Sequence, residues 1–378
     1  MTANLVREVT AVSKAASQRS VLPILGNVLI ETTKGGLFLS ATDLTSRLRA
    51  FVPGTVETKG STTVEIQTLV HLLSQFGKTG HVDFLLDGDY LLVADAEGTS
   101  GRLPTISAEE MPVRPDSSKW PVVSRFDAKA LQDVIERSLP FVAHDEARPI
   151  LTSIHVHTVP ADNGAAKATF GAADNYVVSG LDTVEISIDT VESTANMPSI
   201  SLKLLASLLG GYPSEVVEYR LDGNRANFSV GPYDLTVSCI DGMFPNYEQV
   251  IPRFSPFDGE TGSYGITVDR KALLKALKLA RKNDRTVHLV TGPDSLAVVI
   301  PSDSSQGETL FAKTLPATVN PPRDDKAAFN PELLNRVLNA VSATTVTLFR
   351  NGESVNLAFG LETGDPSSRY AVMPVRVS

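Results

Sequence analysis

Cysteine is almost absent from this 378-residue chain, with Cys239 standing alone. A single thiol can form no internal disulfide and build no cysteine-based zinc cage, which predicts a reducing, cytoplasmic setting. Long apolar runs are missing too. No stretch approaches the roughly 20 apolar residues of a membrane helix. Residues 1–20 lack the apolar core of a signal peptide, so no membrane partner is expected. Positive charge is in deficit: 34 Lys and Arg face 43 Asp and Glu, for a formal charge of −9. That excludes a uniformly basic nucleic-acid coat, although not a basic surface confined to one face. The chain also lacks a G-x-x-x-x-G-K-[ST] loop, an H-E-x-x-H helix and a G-x-S-x-G elbow. His155 and His157 alternate along one expected strand, with no third metal ligand nearby; an exposed strand face explains them. Cys239 sits in the apolar run LTVSCI, where a buried inert thiol is expected. Asp87, Asp222 and Asp241 fall in turns. No enzyme, metal or cofactor is expected from this set.

What is present is ordinary for a folded protein: 42% hydrophobic and 20% charged residues. The length predicts two or three domains. An internal repeat decides between them. VDFLLDG (82–88), VEYRLDG (217–223) and VTLFRNG (346–352) begin 135 and then 129 residues apart. Leu69, Leu204 and Leu333 keep the same spacing upstream, as do Leu73, Leu208 and Val337. Each unit thus carries a short amphipathic helix and then a hairpin with Asp-Gly or Asn-Gly at its turn. Each also opens on a helical pattern: Leu5, Val9 and Val12; then Leu131, Val134 and Ile135; then 268–282. Pro- and Gly-containing stretches at 112–121 and 251–263 look like linkers. We expect three α+β domains of one design, 1–119, 120–252 and 253–378. Each packs two helices on one face of a mainly antiparallel sheet.

Charge is unevenly spread over this frame. Lys271, Lys275, Lys278 and Lys282 follow one another at i, i+4, i+7 and i+11, a narrow stripe on one helix. Arg270 and Arg281 flank it and only Asp269 opposes it. The stripe fits either a solvated lysine face or a surface for a polyanion. Arg7, Lys14, Lys129 and Arg137 give the other opening helices a weaker basic character. On a shared side these signals would add, giving sequence-blind, salt-sensitive phosphate contact.

LPILGNVLIET (22–32), LFLSATDLTSRL (37–48), DGMFPNYEQVIP (241–252) and the terminal YAVMPVRVS (370–378) occur in this order. Together with the repeat, they resemble the bacterial DNA polymerase III beta subunit family, the sliding clamps, from the first helix to the last strand. The resemblance implies a head-to-tail homodimer closed into a ring, with helices lining a hole and antiparallel sheets outside. Such a ring encircles duplex DNA without reading sequence and confers processivity on a tethered polymerase. It implies a groove that takes short linear peptides from the replicative polymerase, the clamp loader and repair proteins. Carried over residue by residue, the groove would hold Leu151, Val177, Val178, Pro245, Val250, Val372, Met373, Pro374, Val375 and Arg376. The stretch VMPV would either finish the last sheet or line the groove, or do both with alternate residues. Arg19 and Arg148 match basic positions beside the hole, joined by Lys271, Lys275 and Lys278 of the stripe, with His144 as a further candidate. Ring closure would bring the region of Leu103 against Ala280 and Arg281.

Some positions depart from the family pattern. Where Thr-Asp-Gly-His-Arg-Leu is common, this chain has Ala173, Asp174, Asn175, Tyr176, Val177 and Val178. Gln249 stands where a basic residue is frequent, and Ala280 and Arg281 where apolar residues are. These departures change one groove wall and the closure region. They leave open a divergent clamp copy that acts as a peptide-binding adaptor without stable encirclement.

Overall fold

The computed structural model describes the chain apart from residues 1, 18–20, 78–79, 114, 146, 161–165, 184–185, 188, 250, 252–262, 283–285, 303–308, 351–358, 366 and 376–378. Arg19, Val250 and Arg376 therefore lie outside the described residues, as does the Asn351–Gly352 turn.

The element order repeats. The first round is α1 (Thr2–Ser13), β1 (Asn27–Thr33), β2 (Gly36–Thr42), β3 (Ser46–Pro53), β4 (Ser61–Glu65), α2 (Ile66–Ser74), β5 (Val82–Asp87), β6 (Tyr90–Asp95) and β7 (Ser100–Ile106). The second is β8 (Val122–Asp127), α3 (Ala128–Ser138), β9 (Ser153–Val159), β10 (Lys167–Ala173), β11 (Val177–Thr183), β12 (Ser193–Pro198), α4 (Ser199–Leu209), β13 (Val216–Asp222), β14 (Arg225–Val230) and β15 (Tyr233–Ser238). The third is β16 (Tyr264–Asp269), α5 (Arg270–Lys282), β17 (Val287–Gly292), β18 (Ser295–Pro301), β19 (Thr309–Asn320), β20 (Asp325–Phe329), α6 (Pro331–Asn339), β21 (Thr345–Arg350), β22 (Phe359–Glu362) and β23 (Ser368–Val372). Rounds two and three match element for element, and the first lacks only their leading strand.

Local chemistry sets the helix starts. Side-chain oxygens of Glu65, Asp127, Asp269 and Asn330 accept from free amides of the first turns of α2, α3, α5 and α6. Pro331 then opens α6 where no amide is needed. The lone acid of the lysine helix, Asp269, is thus its cap. Two expected hairpins form, centred one residue later than the Asp-Gly pairs suggest. Asp87 pairs Tyr90 and Asp222 pairs Arg225, leaving Gly88–Asp89 and Gly223–Asn224 in the loops. Gly88 and Gly223 have φ of 55° and 54°, which favours glycine there.

By packing, the chain divides into two compact units. One holds 1–132, 158–166 and 185–241; the other holds 133–157, 167–184 and 242–378. In the first, the strands run β5-β6-β7-β4-β1-β2-β3-β15-β14-β13-β8. In the second they run β9-β10-β11-β23-β22-β21-β16-β19-β18-β17-β20. Consecutive repeats are therefore sewn together by strand pairing: β3 takes β15, and β11 takes β23. The expected apolar faces are buried. Leu5, Val9, Val12, Leu69 and Leu73 fill the first unit beside Leu39 and Leu48. Leu273, Leu277, Leu333 and Val337 fill the second beside Phe329 and Phe359. Cys239 is buried, and burial pushes its thiol up to about 11, as an inert core thiol requires. No described helix is long and apolar enough to cross a membrane.

Candidate functional site

Two neighbouring strands of the second unit begin the site. Val178 of β11 faces Ala371 of β23, and Ala173 faces Val178 across β10 and β11. A short turn at Pro149–Thr152 brings Leu151 to them, and the segment after β15 adds Phe244, Tyr247 and Ile251. These seven residues form one apolar cluster, with Ala143, Ile150 and Met373 packed partly buried against it. Its edge is open: Tyr176, Met243, Pro245 and Val375 are exposed. The Met373 amide donates to the Tyr176 carbonyl at 2.8 Å and the Val375 amide to the Ala328 carbonyl at 2.7 Å, which pins residues 373–375.

The wall at 174–176 is a rigid turn. Asp174 Oδ1 accepts from the amides of Tyr176 and Val177, at 2.7 and 2.8 Å. Its Oδ2 meets Arg336 Nη1 of α6 at 2.6 Å. Arg148 Nη1 donates to Asn175 Oδ1 at 3.1 Å.

Of the expected groove residues, Leu151, Val178 and Met373 belong to this cluster. Val177 and Val372 do not. They are buried, but they pair with each other one step along the strands, so alternation turns them to the opposite face. Pro245 is exposed between Phe244 and Tyr247, Pro374 is half-buried and Val375 exposed. Phe244, Tyr247, Ile251 and Ala371 escaped the sequence reading. The signal for Phe244 and Tyr247 was two aromatics three residues apart flanking Pro245, in the motif 241–252 from which only Pro245 and Val250 were drawn.

The junction of the first two repeats has its own apolar cluster, Ile24, Leu25, Leu29 and Met111, but differs from this one at a strand position. It has the same parts: a Pro-Ile-Leu turn at 23–25, a turn closed by Asp43 Oδ1 on the amides of Thr45 and Ser46, and the β3–β15 pairing. At the position of the Val178–Ala371 pair stand Arg47 and Thr236. Arg47 is buried and donates to the Pro112 carbonyl. The backbone is reused, but a guanidinium stands where the second unit has the Val178 side chain.

On α5, Lys271, Lys275 and Lys278 are exposed, and none forms an ion pair among the described residues. The two arginines differ from the stripe. Arg270 donates to the carbonyls of Ala343 and Leu338, closing the end of α6. Arg281 is paired with Glu332 at 2.8 Å and bonds Asn335. Likewise Arg137 serves Ser368 and Tyr370 rather than solvent. His144 and Arg148 are exposed. The closure expectation needs correction: Ala280 is fully buried in its own unit and Leu103 is 5% exposed, so neither side chain is offered to another chain. Among the described residues, no cluster of His, Cys, Asp and Glu could hold a metal.

Comparison with known proteins agrees with this architecture. A family model described as DNA polymerase III beta subunit, N-terminal domain, matches residues 1–115. The beta sliding clamp of Synechococcus elongatus is 26% identical over 375 residues, covering 97% of this chain and 95% of that protein. That of Caulobacter vibrioides is 24% identical, covering 99% and 98%. The crystal structure of the DNA polymerase sliding clamp from Caulobacter crescentus superposes with a TM-score of 0.88 at 21% identity, covering 100% of this chain and 98% of that one. Along its whole length the chain is similar in sequence to beta sliding clamps, its first 115 residues match the DNA polymerase III beta subunit model, and it has the fold of the solved sliding clamps.

Proposed function

We propose that this protein is a non-catalytic DNA sliding clamp. Two copies of three domains (1–119, 120–252 and 253–378) would join head to tail, encircle duplex DNA and hold a polymerase through the apolar groove. The observation that carries the reading is the way repeats are sewn together. β3 of the first takes β15 of the second, and β11 of the second takes β23 of the third. The next link in that series needs β19 of the third repeat and β7 of a first repeat. Among the described pairings, one edge of β19 over 309–316 and one edge of β7 over 100–104 have no partner. Free strand edges of this kind are templates for another chain. A second copy supplies both, and two such heterologous contacts close a ring.

The register follows from the internal copies. Leu48 faces Leu235 in the β3–β15 pair. Phe311 occupies Leu48's place against β18, and Gly101 occupies Leu235's place against β6. Phe311 would then lie opposite the partner's Gly101, and Ala312 opposite the partner's Ser100. Leu103 takes part through its backbone rather than its side chain. With Ser100→Cys and Ala312→Cys combined, oxidation should convert most of the protein into covalently linked dimer in non-reducing gels. Failure to cross-link, together with a monomer mass at micromolar concentration, would contradict head-to-tail closure.

The lysines of α5 supply the DNA contact, joined by Arg148; phosphate attraction without base readout permits sliding. The apolar cluster supplies the partner contact, receiving short peptides of the polymerase, loader and repair proteins. The clamp names of the relatives along the full chain favour this over an adaptor that does not encircle DNA.

A further inference from the structure

The segment 244–251 gives the apolar cluster three of its seven buried residues, yet none of its described residues lies in a strand. Something must hold it against the sheet. Gly171 and Gly180 face each other directly across β10 and β11. Each shares a sheet face with a cluster residue two positions away, Ala173 and Val178 respectively. A Cβ on Gly171 would lie 2.4 Å from Tyr247 Cε1, and one on Gly180 2.9 Å from Tyr247 Cε2. The Tyr247 ring therefore spans both strands with one edge on each glycine. Glycine inside a strand costs conformational entropy and packs nothing, so an opposed pair is expensive unless another group needs the space.

From the ring the contact passes outward. Phe244 meets Tyr247 edge-on, with centroids 6.1 Å apart, and stacks on His155 at 5.2 Å. The Ile251 amide donates to the Tyr247 carbonyl at 3.1 Å. We infer that Tyr247, seated on the Gly171–Gly180 pair, is the positioning residue of the peptide groove: the seat fixes the ring, and the ring fixes the wall made by Phe244 and Ile251. This rests on the proposed peptide-binding function of the cluster.

The test is a double-mutant cycle read by two methods. Gly171→Ala should lift the ring and weaken binding of a short fluorescent peptide from a replicative polymerase by about tenfold. Dimer mass should stay unchanged. Tyr247→Ala should cause a similar loss. In the Tyr247→Ala background, Gly171→Ala has room and should add no further loss. Hydrogen exchange at the Ile251 amide, measured without peptide, should speed up in Gly171→Ala. Unchanged exchange, or two substitutions whose effects simply multiply, would overturn the seat. If the unmodified protein failed to bind the peptide while exchange responded as expected, the seat would stand and the groove's function would fall.

Discussion

Val178→Arg should abolish peptide capture, lowering affinity for a polymerase-derived peptide by about 100-fold, or about 2.8 kcal/mol. The first repeat junction performs this substitution naturally. There Arg47 stands in the position of Val178, buried and bonded to the Pro112 carbonyl, on the same pair of strands. An arginine at 178 would fill the space beside Ala371 and Leu151. It would also set a charge where an apolar peptide side chain must be buried, which is costly without a partner. Because the first junction shows that the backbone accepts the residue, folding should survive. The buried charge should lower the melting temperature somewhat, while the dimer mass and DNA retention match the unmodified protein and fluorescence anisotropy of the labelled peptide shows the loss. Binding within threefold of normal would remove Val178 from the groove. Val178→Ala, which only enlarges the space, should cost far less.

Reversing Lys271, Lys275 and Lys278 to Glu together should have a comparably large effect on DNA and none on the peptide. The three ammonium groups are exposed on one face of α5, while Leu273, Ala276 and Leu277 hold the opposite face in the core. The helix therefore has no structural need of the lysines. If each neutralises a phosphate, their loss should make the salt dependence of DNA affinity shallower by roughly 3 in log–log slope. Affinity at low salt should fall by at least about tenfold. Arg270→Glu is the contrasting case. Its guanidinium closes the end of α6, so its loss should lower the melting temperature. An unchanged salt slope in the triple variant would mark the stripe as a solvated face only.

Much of this was legible in the sequence because it depends on local periodicity. The helix faces, the Leu69–Leu204–Leu333 spacing and the hairpin glycines express contacts a few residues apart, and the chain writes those directly. The strand joints between repeats were not legible, since β3–β15 and β11–β23 unite residues more than 180 positions apart. The same gap explains the site errors. Val177 and Val178 look alike in sequence, and only the β23 register decides which faces the cluster. Arg270 and Arg281 flank the lysine stripe and look like part of one basic face, but α6 and the chain following it claim both. Ala280 follows Leu273 and Leu277 at i+7 and i+3, so the helix period already sets it on the core face, against the closure role that the resemblance implied. Tyr247 was hidden because its seat, Gly171 and Gly180, lies far upstream and carries no side chain to announce itself.

Retention on closed versus opened DNA tests the central claim most directly. Protein assembled on nicked circular duplex by a clamp loader should stay bound through gel filtration at moderate salt, then be released when a single cut linearises the circle. Release on cutting is the signature of topological linkage, in which weak lysine–phosphate contacts suffice because the ring cannot leave sideways. Equal retention on circular and linear DNA, or loss from both, would contradict it.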